Sequence, residues 1–553
     1  MKTIFSLLVI ITLVAPQCRG AEANSQRATD STSRSYYDIG GFHWAASTDS
    51  ADAQTWFDRG LAMCVGFNHE EAVRCFERAV TADPGMAMAY WGLAYAWGPN
   101  INNTLVEPHK IIESNLVVRL AKLHASKSTP LERALIDAID HRYTTPVPEE
   151  RGPLNLAYAD AMRKVYRQYS DDPLVASLFA ESLMMLRPWK QWNRDGSAAA
   201  ETPEIMQVLE DSLKKSPNFP ATCHLYIHAM EASPHPEKAL PAANRLRNAM
   251  PGAGHLVHMP SHIDVLLGDY ESVIETNQRA VKVDAEFVKR EGAHNFYTYY
   301  RIHNYHFVVY GALFDGQSKV ALKAATDLIE QIPEDMLKQQ TDFLDAFVPT
   351  KFHVLVRFGR WEDILAEPEP ADYLPTTRAV RHYARAVAFA ATGRIAEAEA
   401  EQALFAQVQA TVPETSALFN NTSRDILGVA EAMVAGEIAY RKKNHGAAFE
   451  HLREAVRRDD ALNYDEPWGW MQPARHALGA LLLERGRPTE AEKVYRADLR
   501  RHPKNPWALN GLAECLTRLD KTEEARTIRR EFVEATRRAD VAIDRSCFCR
   551  TGK

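Results

Sequence analysis

Residues 56–84 read W-F-D-R-G-L-A-M-C-V-G-F-N-H-E-E-A-V-R-C-F-E-R-A-V-T-A-D-P, and six positions in this stretch decide the fold: Trp56, Gly60, Ala72, Phe76, Ala79 and Pro84. Their intervals of 4, 12, 4, 3 and 5 residues suit two antiparallel helices joined by a tight turn. A large and a small residue one turn apart let the first helix receive its partner, and small-large-small lets the second nest into it. Proline, which lacks the amide a helix ladder needs, closes the unit. Tyr90, Trp91 and Ala94 open a next hairpin. The frame returns at Gly479, Ala491, Tyr495 and Pro503, followed by Trp507 and Gly511. It also returns at Gly436, Ala448, Leu452 and Ala455, and at Ala321, Ala325, Leu328 and Pro333. Between about 101 and 215 it blurs, although apolar helical periodicity runs on through Leu131–Asp140 and Leu174–Leu186. A loop over Trp189–Gly196 interrupts it. No segment alternates at strand period for long. The expected fold is an all-α solenoid of stacked helix hairpins.

This spacing resembles the consensus of the tetratricopeptide (TPR) superfamily, whose unit is a 34-residue helix hairpin. A chain of 553 residues is long enough for several domains or one long solenoid, and 46% hydrophobic with 25% charged residues is the balance of a folded soluble protein. Net charge is −7 with no basic stripe, which argues against nucleic acid as the main partner. Residues 1–20 differ from the rest. Lys2 gives a positive start, Ile4 to Val14 is almost wholly apolar, and Cys18-Arg19-Gly20-Ala21 supplies small residues for cleavage. This reads as a secretory signal too short to span a bilayer, and no later stretch is apolar enough to do so. Gln17 before Cys18 speaks against a lipoprotein site. The expectation is an exported protein, secreted or periplasmic, of unspecified oligomeric state.

The remaining boundaries are an N-terminal extension at 21–50, hairpins at 51–100, divergent repeats at 101–215, a histidine-rich segment at 216–366, further hairpins at 367–535 and a tail at 536–553. Seven cysteines are few for an exported chain, so disulfides are not its main staple. In the tail, S-C-F-C-R puts Cys547 and Cys549 close enough for a strained disulfide or a soft-metal site; incidental thiols on a frayed end are the plainer alternative. There is no G-x-G-x-x-G after a strand, no P-loop, no G-x-S-x-G and no H-E-x-x-H. His69-Glu70-Glu71 lacks the second histidine and suits a helix cap.

Chemistry concentrates in the histidines, nine of whose twenty copies fall between His224 and His306. His224 and His228 recur as His258 and His262, each 34 residues on. Taking Ala239, Val273, Ala321 and Ile364 as the small-residue anchors of successive second helices, His224, His258 and His306 lie 15 residues before theirs. His228, His262 and His353 lie 11 before, His255 and His303 lie 18 before, and Glu231 lies 8 before. Offsets that step by 3 and 4 form one stripe on a helix. Adjacent helices pack roughly 8–10 Å apart, a gap that imidazoles from both sides can close on one ion. A single helical histidine is usually surface or core packing; a stripe in register across four hairpins is harder to dismiss.

Neutral imidazole suits copper, zinc or iron, and an exported setting with histidine-only ligands favours copper or zinc. His224, His228, His258 and His262 make the best core. His255, His303, His306 and His353 are further ligands or outer partners, and two sites are possible in a set this large. Glu231 and Tyr310, which shares the slot of His228 and His262, are the candidate catalytic groups. Asp264 lies off the stripe. Pro251-Gly252-Ala253-Gly254 should turn tightly into the helix of His255, and Pro260 should kink or restart it.

The phrases F-N-H-E-E-A, A-Y-W-G-L-A, G-P-N-I-N, Y-I-H-A-M-E-A-S-P-H-P-E-K-A and P-G-A-G-H-L-V-H-M-P-S-H-I, with the S-C-F-C ending, resemble a family of large exported bacterial TPR proteins. That family has no established reaction, so the resemblance bears on the fold. TPR resemblance further implies that the histidine stripe faces the concave inner surface. The function expected is a metal-binding TPR protein, with a metal-dependent oxidoreductase or hydrolase acting on a small molecule or peptide in the groove as its enzymatic form. The alternatives are a peptide- or protein-binding scaffold without catalysis, and metal storage or delivery.

Overall fold

Ser50 and Asn68 set the two ends of the quoted hairpin. The Ser50 side chain accepts the Ala53 amide to start helix Ala51–Val65, and Asn68 accepts the Glu71 amide at 3.2 Å to start helix His69–Ala82. Between the helices Phe76 is fully buried, its ring wedged between two glycines. A Cβ on Gly60 or Gly92 would come within 2.7 or 2.4 Å of that ring. Tyr495 is held in the same way between Gly479 and Gly511. The small positions of the frame therefore mark where an aromatic side chain of one helix wedges between the first helices of successive hairpins.

The structure, a computed structural model, describes residues 36–551. The signal-like segment 1–20 and the start of the 21–50 extension lie outside them. Helix follows helix from Ala51 to Ala535 in an all-α solenoid. Among the described residues the only strands are β1 (Ala417–Leu418) and β2 (Asn421–Thr422), antiparallel with Ala417 opposite Thr422. Where the frame blurs, the chain still forms helices, at Pro108–His124, Pro130–Asp140, Gly152–Gln168, Pro173–Met184 and Thr202–Lys215. Two of them start one residue before the apolar pattern does, because Thr129 and Asp172 cap them ahead of a proline at the first turn. No helix among the described residues is long and apolar enough to cross a membrane.

Residues from 39 onward pack as one unit, and the superhelix closes on itself. Tyr270 Oη donates to the Pro503 carbonyl at 3.1 Å, and Trp507 Nε1 donates to the Leu313 carbonyl at 2.9 Å. The amide and hydroxyl of Ser318 both reach Asp540 Oδ1 at 2.7 Å. From the other end, the Phe296 amide donates to Glu70 Oε1 at 3.2 Å. The tail is packed: Ile543 is buried, Phe548 lies against Trp507 and Gly359, Arg550 pairs with Glu514, and Cys547 and Cys549 are disulfide-bonded. These contacts join segments far apart in the chain, and the helices carrying the clustered histidines are largely buried.

Candidate metal centre

Three consecutive repeats supply the histidines. Helix Pro220–Met230 carries His224 and His228 and is capped by Glu231. The next first helix is broken into Gly254–His258 and Pro260–Leu266, restarting at Pro260 as its missing amide requires. Gly254 opens it because nothing larger fits: a Cβ there would lie 1.9 Å from Asp284 Oδ1. Beside it the Tyr297 hydroxyl accepts the His255 amide at 2.9 Å. The third helix, Thr298–Asp315, carries His303, His306 and Tyr310.

Six of these rings meet. One ring nitrogen from each of His224, His228 and His255 lies within 4.8 Å of the others, and the same holds for His258, His262 and His303. Glu231 joins the two groups, taking His228 Nδ1 on Oε1 at 3.0 Å and His262 Nδ1 on Oε2 at 2.7 Å. Glu466, from a loop far along the chain, also contacts His262 Nδ1, and its other oxygen accepts the Tyr464 hydroxyl. Rings of Phe67, Trp189, Tyr300, Phe307 and Phe419 surround the imidazoles. His224, His228, His255, His258, His262 and Glu231 are all buried, and His303 is partly exposed.

The outer partners fix which nitrogens are free. Asn277 donates through Nδ2 to the Val273 carbonyl at 2.8 Å and to Ser261 Oγ at 3.0 Å, so its Oδ1 faces His258 Nδ1 at 2.6 Å. His258 Nδ1 must therefore carry a proton. His262 Nδ1, facing the Glu231 carboxylate, must carry one too. Each ring, if neutral, then has only a lone pair left on Nε2, and these two Nε2 atoms are 2.7 Å apart. Neutral rings are what burial favours: it holds His258 well below the usual imidazole range and lowers His262, the neighbouring charges adding in part. Two lone pairs at that distance repel unless a cation sits between or beside them. His224 Nε2 and His255 Nε2 also face each other, at 3.1 Å, with His224 also bonded to the Val65 backbone. Burial first, then neighbouring imidazoles, holds His224, His255 and His303 well below the ordinary range.

Unpartnered atoms sharpen the point. His228 Nε2, His255 Nδ1 and His303 Nδ1 are buried with no hydrogen-bond partner. At about 1–3 kcal/mol each, their desolvation is comparable to much of a domain's net stability of about 5–15 kcal/mol. A bound ion would recover part of that cost directly.

Two of the eight histidines stand apart. His306 is three residues beyond His303, about 60° short of a full helical turn, and its ring packs on Phe347. His353 packs edge-on against Trp470. Burial lowers them to about 3 and about 4 respectively. Tyr310 is buried on Phe314 and Trp468, where Tyr270, Asp459 and Asp498 are its electrostatic neighbours rather than the six imidazoles. Asp264 is paired with Arg247 at 2.5 and 2.7 Å, away from the rings. His69 bonds the Ala96 carbonyl through Nδ1 at 2.8 Å while Asn68 makes the cap. Sequence reasoning missed Glu466, Asn277 and the aromatic wall. Asn277 lies on the helix Tyr270–Glu291, opposite His258, whereas Glu466 comes from a distant loop.

A tetratricopeptide-repeat family model matches residues 482–531, and no curated protein matches the chain. Among solved structures, the human IFIT1 dimer with PPP-AAAA aligns at 14% identity over 90% of this chain and 98% of that one, with a TM-score of 0.31. The human IFIT1 dimer with m7Gppp-AAAA aligns at 12% identity, over 89% and 92%, with a TM-score of 0.30. Yeast Tom70 aligns at 9% identity, over 87% and 90%, with a TM-score of 0.28. Likeness at this level says nothing about the site.

Proposed function

We propose that this TPR-repeat protein binds a transition metal at the histidine cluster and works as a metalloprotein, with copper or zinc favoured and iron possible. The observation that carries the reading is the pair of Nε2 atoms on His258 and His262, each left with a lone pair by its Nδ1 partner and facing the other at 2.7 Å. The donor set agrees with the metal class: imidazoles select borderline transition ions, whereas magnesium and calcium need mainly oxygen. Outer partners on Nδ1, here Asn277 and Glu231, are the usual means of aiming a metal-binding histidine. When bound, such an ion supplies a Lewis acid or a redox centre. The chain's own groups would hold it, exclude bulk water with the aromatic wall, and keep a proton on Nδ1 of His228 and His262 through Glu231.

An exported setting belongs to the same proposal. It rests on the signal-like segment 1–20, on the resemblance to exported bacterial TPR proteins and on the Cys547–Cys549 disulfide, a bond favoured in oxidising compartments. The test is elemental analysis of untagged protein after loading with copper or zinc and desalting. Wild type is expected to retain metal and His258→Ala/His262→Ala to lose most of it. Near-zero metal in both would end the reading.

A further inference from the structure

The six rings divide rather than crowd around one point. His224, His228 and His255 form one set of three, His258, His262 and His303 another, each with its three nitrogens within 4.8 Å of one another. Three nitrogens bound to one ion at about 2.0–2.1 Å sit roughly 3–4 Å apart, so a small inward rotation of the rings closes either set. Glu231 lies between the sets. It spends Oε1 on His228 of the first and Oε2 on His262 of the second, holding both rings by Nδ1 and leaving their Nε2 atoms for their own sets. The sets are neighbours: His228 and His262 rings are 5.7 Å apart, and those of His255 and His258 are 5.9 Å apart.

We infer that the centre holds two transition-metal ions, one on each three-histidine set, with Glu231 as the shared outer partner that couples them. The inference rests on the metal-binding reading above and specifies its stoichiometry and layout. One ion commonly takes four ligands in tetrahedral sites, so six clustered imidazoles oversupply a single ion. The unpartnered nitrogens fall in both sets, His228 Nε2 and His255 Nδ1 in one and His303 Nδ1 in the other, so a single ion in either set would leave the other unsatisfied. Three protein ligands per ion leave a coordination position open, as in catalytic rather than structural sites. The ligand suited to those positions is a small molecule, since Phe67, Phe307 and Phe419 pack directly against the rings.

The competing layout is one ion on His228, Glu231 and His262, whose ligand atoms also lie within 4.8 Å of one another. Metal titration separates the two. Untagged, metal-stripped full-length protein is titrated with Cu²⁺ or Zn²⁺, desalted and assayed for metal per chain, with folding checked by circular dichroism. Two equivalents are expected for wild type and about one for each of His224→Ala/His255→Ala and His258→Ala/His303→Ala. One equivalent in wild type, untouched by His224→Ala/His255→Ala, overturns the two-ion layout and leaves the metal-binding reading standing. Zero equivalents in folded wild type overturns both. Because the wild-type count needs no variant, the result stands even where a variant misfolds; His224→Asn/His255→Asn then gives a milder replacement.

Discussion

Asn277 decides which nitrogen of His258 is free, and that single amide orientation is dictated by the backbone acceptor beneath it, the carbonyl of Val273. Removing an outer partner of a metal-bound histidine typically costs 10–100-fold in affinity. Asn277→Ala is accordingly expected to weaken metal binding by about 10–100-fold with the fold retained; unchanged affinity in a competition titration would detach Asn277 from the site. His353 gives a cleaner reading of burial, because it lies outside both three-histidine sets. Its folded value, about 4, is below the unfolded value of about 6.5. A depressed histidine contributes stability that is present above pH ~6.5 and lost as pH falls toward the folded value. Between pH 7 and 4, wild type should therefore lose about 3 kcal/mol relative to His353→Phe, measured by denaturant titration at each pH. Parallel pH profiles for the two proteins would contradict it.

Among the helices, stability turns on the aromatic wedges. Tyr495 is fully buried between Gly479 and Gly511 and shares a hydrogen bond of 2.6 Å with Ser546 in the tail. Tyr495→Ala should cost about 3–5 kcal/mol and loosen the tail as well. A loss under about 1 kcal/mol in chemical denaturation would mean that the wedge does not hold the hairpins. These wedges are also what made the fold legible: Gly60 with Phe76, and Gly479 with Tyr495, are spacings that a linear sequence records. Residues 101–215 carry no such pair, so only apolar periodicity marked their helices. Offset arithmetic likewise placed the histidines on one helix face, yet it assumed an unbroken helix in every repeat. Across the break at Pro260, His255, His258 and His262 still share the site, whereas on the continuous helix Thr298–Asp315 His303 reaches it and His306 packs on Phe347. Glu466 was not legible at all. It arrives on a loop anchored by Asp465, which accepts from the Asn420 amide at 3.0 Å and from the Asn421 side chain at 2.5 Å, and no periodicity reports such a crossing.

For the whole molecule, the contacts between distant repeats leave most of the clustered histidines in an interior. The proposed ligands come from separate repeats, Pro220–Met230, Gly254–Leu266 and Thr298–Asp315, so an ion bound among them would tie those repeats together. Binding to the folded state alone at a free concentration of about 100 times Kd adds about 2.7 kcal/mol. Thermal unfolding should therefore move upward with added copper or zinc and return on chelation, and His258→Ala/His262→Ala should respond to neither. The central claim, that imidazoles from consecutive repeats converge on metal, is tested most directly by X-ray absorption at the edge of the bound metal. The account predicts a first shell dominated by nitrogen at about 2.0–2.1 Å with the outer scattering of imidazole rings, diminished in His258→Ala/His262→Ala. A shell of oxygen or sulfur without ring scattering, or one identical in wild type and variant, would contradict it.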